Sequence, residues 1–134
     1  MSKLTKQQQA EAYWLASSTR NDLVCPVRTT LNVLGGKWKL LILSYLLDEP
    51  RRYGELRRLM PEITEKMLIQ QLREMETDGL VARTVHQTVP PRVDYSLTAQ
   101  GQRVRPMFAE LLGWGLQYLD RSAVAEAPAG AGQG

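Results

Sequence analysis

The stretch "RRYGELRRLMPEITEKMLIQQLREMETDG", residues 51–79, decides the fold. Tyr53, Leu56, Leu59 and Met60 fall at helical spacing before Pro61 ends the run. A short turn through Glu62 and Ile63 leads to Thr64, whose hydroxyl suits the cap of a second helix over 64–77. On a wheel of about 100° per residue centred on Leu72, Leu68 and Met75 lie within roughly 60°, a narrow stripe for the core. Lys66, Gln70, Arg73 and Thr77 gather on the opposite side, again within roughly 60° of one another. Two helices and a tight turn are therefore expected, and the second helix, Thr64 and Met67 included, is the candidate reading element.

Upstream, "KWKLLILSYLL" over 37–47 is apolar nearly all round, too short to span a membrane and suited to a buried central helix. Before it, "CPVRTTLNVLGG" over 25–36 places Pro26 at a first helical position, Val27, Leu31 and Leu34 on one face, and Gly35 at the end. That puts Cys25 at the N-cap. Residues 3–18 are mostly good helix formers, with Leu4, Ala12, Trp14 and Leu15 as the apolar positions. Downstream of Gly79, "LVARTVHQTV" and "RVDYSL" alternate and are rich in β-branched residues, so a two-stranded ribbon is expected with Pro90 and Pro91 at its tip or open edge. Thr98 then caps one last helix over about 99–120.

The expected fold is mainly α with a small β-wing: a winged helix-turn-helix core over 25–98, a helical extension over 1–24, a helix over 99–121 and a flexible Ala/Gly/Pro tail over 122–134. With 134 residues, 43% of them hydrophobic, the chain suits a single core. No run of 18 uncharged apolar residues and no secretory signal is present, so a soluble, cytoplasmic protein without a membrane partner is expected. One cysteine and one histidine leave neither an internal disulfide nor a zinc cluster, and no cofactor or metal is implied. The net charge of +3 is a weak pointer to nucleic acid: residues 51–83 hold seven Lys/Arg against six acids.

Geometry says more than charge. Arg or Lys bonds guanine O6 and N7 and Gln pairs with adenine N6 and N7, so Gln70 and Arg73 are suited to reading base edges, beside Lys66. Arg92, next to the stiff Pro90–Pro91 step, suits a wing that tracks phosphates or enters a minor groove. Arg52, Tyr53, Arg57 and the amides opening their helix suit the DNA backbone. The plainer reading is a solvated helix face and a rigid turn.

"CPVRTTLNVLGGKWKLLIL", the stretch over 51–83 and "VPPRVDYSLTAQG" together resemble the HxlR family of bacterial winged-helix transcriptional regulators, in unbroken order from Cys25 to about Trp114. The resemblance implies a cytoplasmic homodimer, nucleoid-associated when bound to double-stranded DNA, that recognises an inverted-repeat operator and usually represses. It maps the recognition helix onto 64–77 and the wing onto 81–97, and assigns dimerisation to the flanking helices, with Trp14 and Leu15 in one and Phe108, Leu111, Trp114 and Tyr118 in the other. The last helix supports a second copy independently, because its apolar residues spread over about 200° of the wheel, beyond one core contact. Two reading helices one DNA turn apart, about 34 Å, demand a palindromic site.

Cys25 precedes Pro26 at a helix N-terminus near Arg28, a setting that favours the thiolate attacked by oxidants and electrophiles. Several members of the resembled family sense such signals at the matching position; the alternative is a buried, inert packing residue with a small molecule as the inducer. Catalysis is disfavoured, since "LGGKW" lacks P-loop spacing and His86 falls in a strand without a paired nucleophile. A winged helix that binds protein instead of DNA would be expected to lack Lys66 and Arg73.

Overall fold

The computed structural model describes residues 3–16 and 25–126, with side chains over 3–13 and 25–120. It divides into two units, residues 1–36 and 37–134.

The N-terminal unit holds α1 (Lys6–Ala16) and α2 (Pro26–Leu34). A reciprocal pair starts α1: Thr5 Oγ1 accepts from the Gln8 amide at 3.1 Å, and Gln8 Oε1 accepts from the Thr5 amide at 2.9 Å. Trp14 and Leu15 fall within the helix, but their side chains lie outside those described. Cys25 is the N-cap of α2 and is buried, as is Leu34, whereas Val27 and Leu31 of the expected apolar face are exposed.

The second unit opens with α3 (Lys39–Leu46), whose Ile42, Leu43 and Leu46 are fully buried. The helix is less enclosed than its composition suggests, because Leu41 is exposed. Next come β1 (Arg51–Arg52), α4 (Tyr53–Leu59) and α5 (Glu65–Thr77), followed by β2 (Val81–His86) and β3 (Arg92–Leu97). The expected stripe of α5 is buried: Leu68, Leu72 and Met75 are each 1% exposed or less, and each contributes about 1.5–3 kcal/mol by leaving water. Gly79, at φ +80°, ends α5 in a conformation that other residues enter at a cost, and Leu80 N–H closes the end on the Met75 carbonyl at 2.9 Å.

The sheet has three strands, not the two read from the sequence. Arg51 and Arg52 pair with Tyr95 and Asp94, placing β3 between β1 and β2 in an antiparallel order β1-β3-β2. Arg51 is also tied to the spine, its Nε donating to the Tyr45 carbonyl at 3.0 Å, so helix starts only at Tyr53. Two residues are too few for alternation to reveal a strand.

The last helix is also divided, into α6 (Ala99–Gln102) and α7 (Arg105–Glu126). An unbroken helix would need the absent N–H of Pro106 and drive its ring against the carbonyl of residue 102; the break puts Pro106 in the first turn of α7, where neither matters. Arg103 and Val104 amides bond the Gln100 and Gly101 carbonyls at 3.1 Å, tightening the corner. At its far end α7 runs through Glu126, five residues past the expected limit, because "SAVAE" contains good helix formers.

Candidate nucleic-acid interface

The turn between α4 and α5 is held from inside and outside. Met60 and Ile63 are each 2% exposed, and the Ile63 amide bonds the Met60 carbonyl at 3.3 Å. Arg57 Nη1 donates to the Ile63 carbonyl at 2.8 Å, so this guanidinium braces the turn with one of its nitrogens. Thr64 Oγ1 accepts from the Met67 amide at 3.1 Å, the expected N-cap of α5. Met67 is half-buried and its sulfur accepts from Gln71 Nε2 at 3.4 Å.

Lys66, Gln70, Arg73 and Thr77 are all exposed, as the wheel requires. An open hollow of about 640 Å³ runs along this face, lined by Glu65, Lys66, Ile69, Gln70, Arg73 and Glu74. Among the described residues neither Lys66 nor Arg73 forms an ion pair, so both cations are available to a ligand. Gln70 is not idle: its Nε2 donates to Glu74 Oε2 at 3.2 Å.

On its other side α5 borders a groove of about 1000 Å³ shared with the start of α4 and the wing. Arg52, Arg58, Arg73, Arg83 and Arg92 line it, against the carboxylates of Glu55 and Glu76. Ile69 and Arg73 line both hollow and groove, which makes the two one surface across α5. Pro90 and Pro91 form part of the groove's wing wall, between the strands as expected, and Thr88 Oγ1 closes the tip on the Pro90 carbonyl at 2.7 Å. Arg92 begins β3 and pairs with Asp94, Nε to Oδ1 at 3.3 Å, while His86 Nε2 meets Asp94 Oδ2 at 2.9 Å across the ribbon.

Arg52 caps α4 and Glu55 Oε1 accepts its amide at 2.8 Å. Tyr53 beside it carries a buried hydroxyl that meets the Glu65 carboxylate but makes no hydrogen bond of normal geometry. Burial, and then the nearby Glu65 carboxylate, push that phenol above its ordinary range. Tyr53 lines the groove, but its buried hydroxyl reaches a ligand only through local opening.

The structure thus brings Arg52, Tyr53, Arg73, Pro90, Pro91 and Arg92 to one groove and Lys66 and Gln70 to the adjoining hollow. Arg57 sits at the turn, and Cys25 lies in the N-terminal unit, away from these elements in sequence. Phe108 is half-buried on α7, while Leu111, Trp114 and Tyr118 are exposed, the two aromatic rings 5.2 Å apart. Reading the sequence missed Arg58 and Arg83. Arg58 follows Gly54 by one helical turn, and its Nη1 lies 3.8 Å from where a Cβ on Gly54 would stand, a spacing the sequence already held. No spacing rule would have found Lys39 and Glu74, 35 positions apart in sequence, which form an ion pair at 2.7 Å between α3 and α5.

A helix-turn-helix with an antiparallel wing and a basic surface spanning both defines a winged-helix DNA-binding transcriptional regulator. Residues 33–123 match the HxlR-like helix-turn-helix family, and the chain belongs to that family. It is 48% identical over 103 residues to the HTH-type transcriptional regulator YdeP of Bacillus subtilis strain 168, covering 77% of this chain and 80% of YdeP. Among solved structures it is similar to the redox regulator HypR in its oxidized form, with a TM-score of 0.67, 46% identity, and 69% of this chain and 96% of that one covered. The reduced form of the transcriptional regulator YodB from B. subtilis matches with a TM-score of 0.63 and 34% identity, over 71% of this chain and 94% of that one. These relatives are transcriptional regulators and not enzymes. Among the described residues no helix is long and apolar enough to cross a membrane.

Proposed function

We propose that the protein binds a palindromic operator as a homodimer and represses the adjoining gene. Gln70, Arg73 and Lys66 read base edges in the major groove. Arg52, Arg58 and Arg83 hold phosphates beside Tyr53, and the wing carrying Pro90, Pro91 and Arg92 lies along the backbone. The observation that carries this reading is the continuity of groove and hollow through Arg73, which sets unpaired Lys66 and five arginines on one surface.

Dimerisation rests on α7. Trp114 is 68% exposed, and Leu111, Leu112, Leu116, Tyr118 and Leu119 are exposed with it, an apolar surface that water alone does not favour. A second copy, with Phe108 in the same contact, covers that surface, and Trp14 and Leu15 of the N-terminal helix are proposed as separate dimer contacts. Sedimentation equilibrium of Trp114→Ala tests this: the dimer dissociation constant should rise at least about tenfold, as for a buried aromatic anchor, and an unchanged dimer removes α7 from the interface.

The inducing signal is proposed to reach Cys25, an oxidant or electrophile acting on the thiol. Cys25 caps α2 without making a side-chain cap hydrogen bond, and HypR is named as a redox regulator. At 1% exposure the thiol needs local opening to react, and this favours, as a second reading, a structural Cys25 with a small-molecule inducer. Titration of the upstream duplex with reduced and mildly oxidised protein separates the two: a shift in affinity abolished by Cys25→Ser supports the thiol switch, and identical binding supports the ligand.

A further inference from the structure

We infer that Lys39 and Glu74 are positioning residues for base reading, an ion pair that reaches from the spine helix to the recognition helix and fixes the amide of Gln70. The inference rests on the reading of Gln70 given above and adds the groups that aim it.

Lys39 is the one buried charged side chain among the described residues, 7% exposed at the first position of α3. Its Nζ lies 2.7 Å from Glu74 Oε1, and Glu74 Oε2 accepts from Gln70 Nε2 at 3.2 Å. An ammonium out of water is costly, and the start of a helix opposes a cation further. An apolar side chain of similar volume would join α3 to α5 at least as well. Stability therefore gives little reason for the pair.

Orientation gives a better one. A carboxylate only accepts hydrogen bonds, so Glu74 decides which way the carboxamide of Gln70 faces: nitrogen toward Glu74, oxygen away. One amide N–H is then committed, and the remaining N–H and the carbonyl form the donor and acceptor pair that adenine N7 and N6 require. Without Glu74 an exposed glutamine samples both flips and several rotamers, freedom it must lose on docking. Lys39 fixes Glu74 in turn and cancels a negative charge that would repel phosphates from the reading helix.

The test is selection of bound sequences from a duplex library randomised over one half-site, with urea unfolding of each variant alongside. Gln70→Ala should flatten the preference at one base pair by about fivefold or more, the lower end of one bidentate contact. Glu74→Ala and Lys39→Met should flatten the same position by about fivefold, and Glu74→Ala should add nothing there in a Gln70→Ala background. Where Glu74→Ala is too unstable because it strands the Lys39 ammonium, the Lys39→Met/Glu74→Ala pair carries the same comparison. If Gln70→Ala flattens the position and the Lys39 and Glu74 variants only change affinity for all duplexes alike, the positioning role is overturned and the reading of Gln70 stands. If Gln70→Ala changes no preference, both fall together.

Discussion

The hydroxyl of Thr98 donates to the Gly79 carbonyl at 2.5 Å, joining the residue that follows β3 to the glycine that ends α5. The same oxygen accepts from the Gly101 amide at 3.0 Å and so starts α6. One side chain thereby fixes where α5 stops, where β3 stops and where the C-terminal helices begin. Thr98→Val keeps the shape and loses both bonds. It should cost about 1–2 kcal/mol in urea unfolding, mostly the loss of a cap.

Gly101 makes that corner possible. A Cβ there would stand 2.1 Å from the Leu80 carbonyl oxygen, a backbone atom with no rotamer to move. Gly101→Ala should lower stability by about 1–3 kcal/mol, as overpacking does. Gly113→Ala, in open space on α7, should leave monomer stability equal or improved by about 0.5–1 kcal/mol. Thermal unfolding of the two variants at one concentration makes the comparison.

Tyr53 carries a hydroxyl that contributes little to stability. Removing its buried hydroxyl, which meets Glu65 without a hydrogen bond of normal geometry, should make Tyr53→Phe as stable as the parent or up to about 1 kcal/mol more so, since the cost of a poorly met donor disappears. Because that hydroxyl is buried, DNA affinity should change less than in Arg58→Ala, as read by fluorescence anisotropy. Because the folded phenol titrates above its ordinary value, its contribution is complete below the unfolded pKa of 10.0 and is lost as pH rises through the folded value. The parent should therefore lose stability more steeply than Tyr53→Phe above pH 10.

Arg83 and Arg92 should differ in kind. Arg83 is exposed and forms no ion pair among the described residues, so Arg83→Ala should lower affinity uniformly across sequences and reduce the salt slope by about one. Arg92 is already paired with Asp94, so Arg92→Ala should weaken binding with a smaller change in slope. Fluorescence anisotropy over a salt series distinguishes them.

Glu74 gives an acid limb. Its bond with Lys39, then its bond with Gln70, hold the carboxyl below its ordinary value of 4.5. The stabilisation is present above that value and lost as pH falls through the lower folded one. Urea midpoints of the parent should drop faster below about pH 4.5 than those of the Lys39→Met/Glu74→Gln pair, by a small margin because the Glu74 side chain is 42% exposed.

By itself the sequence determined the parts whose signal is local. The period of Leu68, Leu72 and Met75, the Thr64 and Thr98 caps and the alternation beside Pro90 and Pro91 placed the helix-turn-helix, the wing and the face carrying Lys66, Gln70 and Arg73, because each is written within a few consecutive residues. Tertiary structure alone decided the rest. Arg51 and Arg52 became a strand only because β3 lay beside them; Arg58 and Arg83 became groove residues only because the wing approached α4; and Lys39 met Glu74 only when α3 packed on α5. Contacts between residues distant in the chain leave no periodicity in either segment, and so they appear only when the chain has folded.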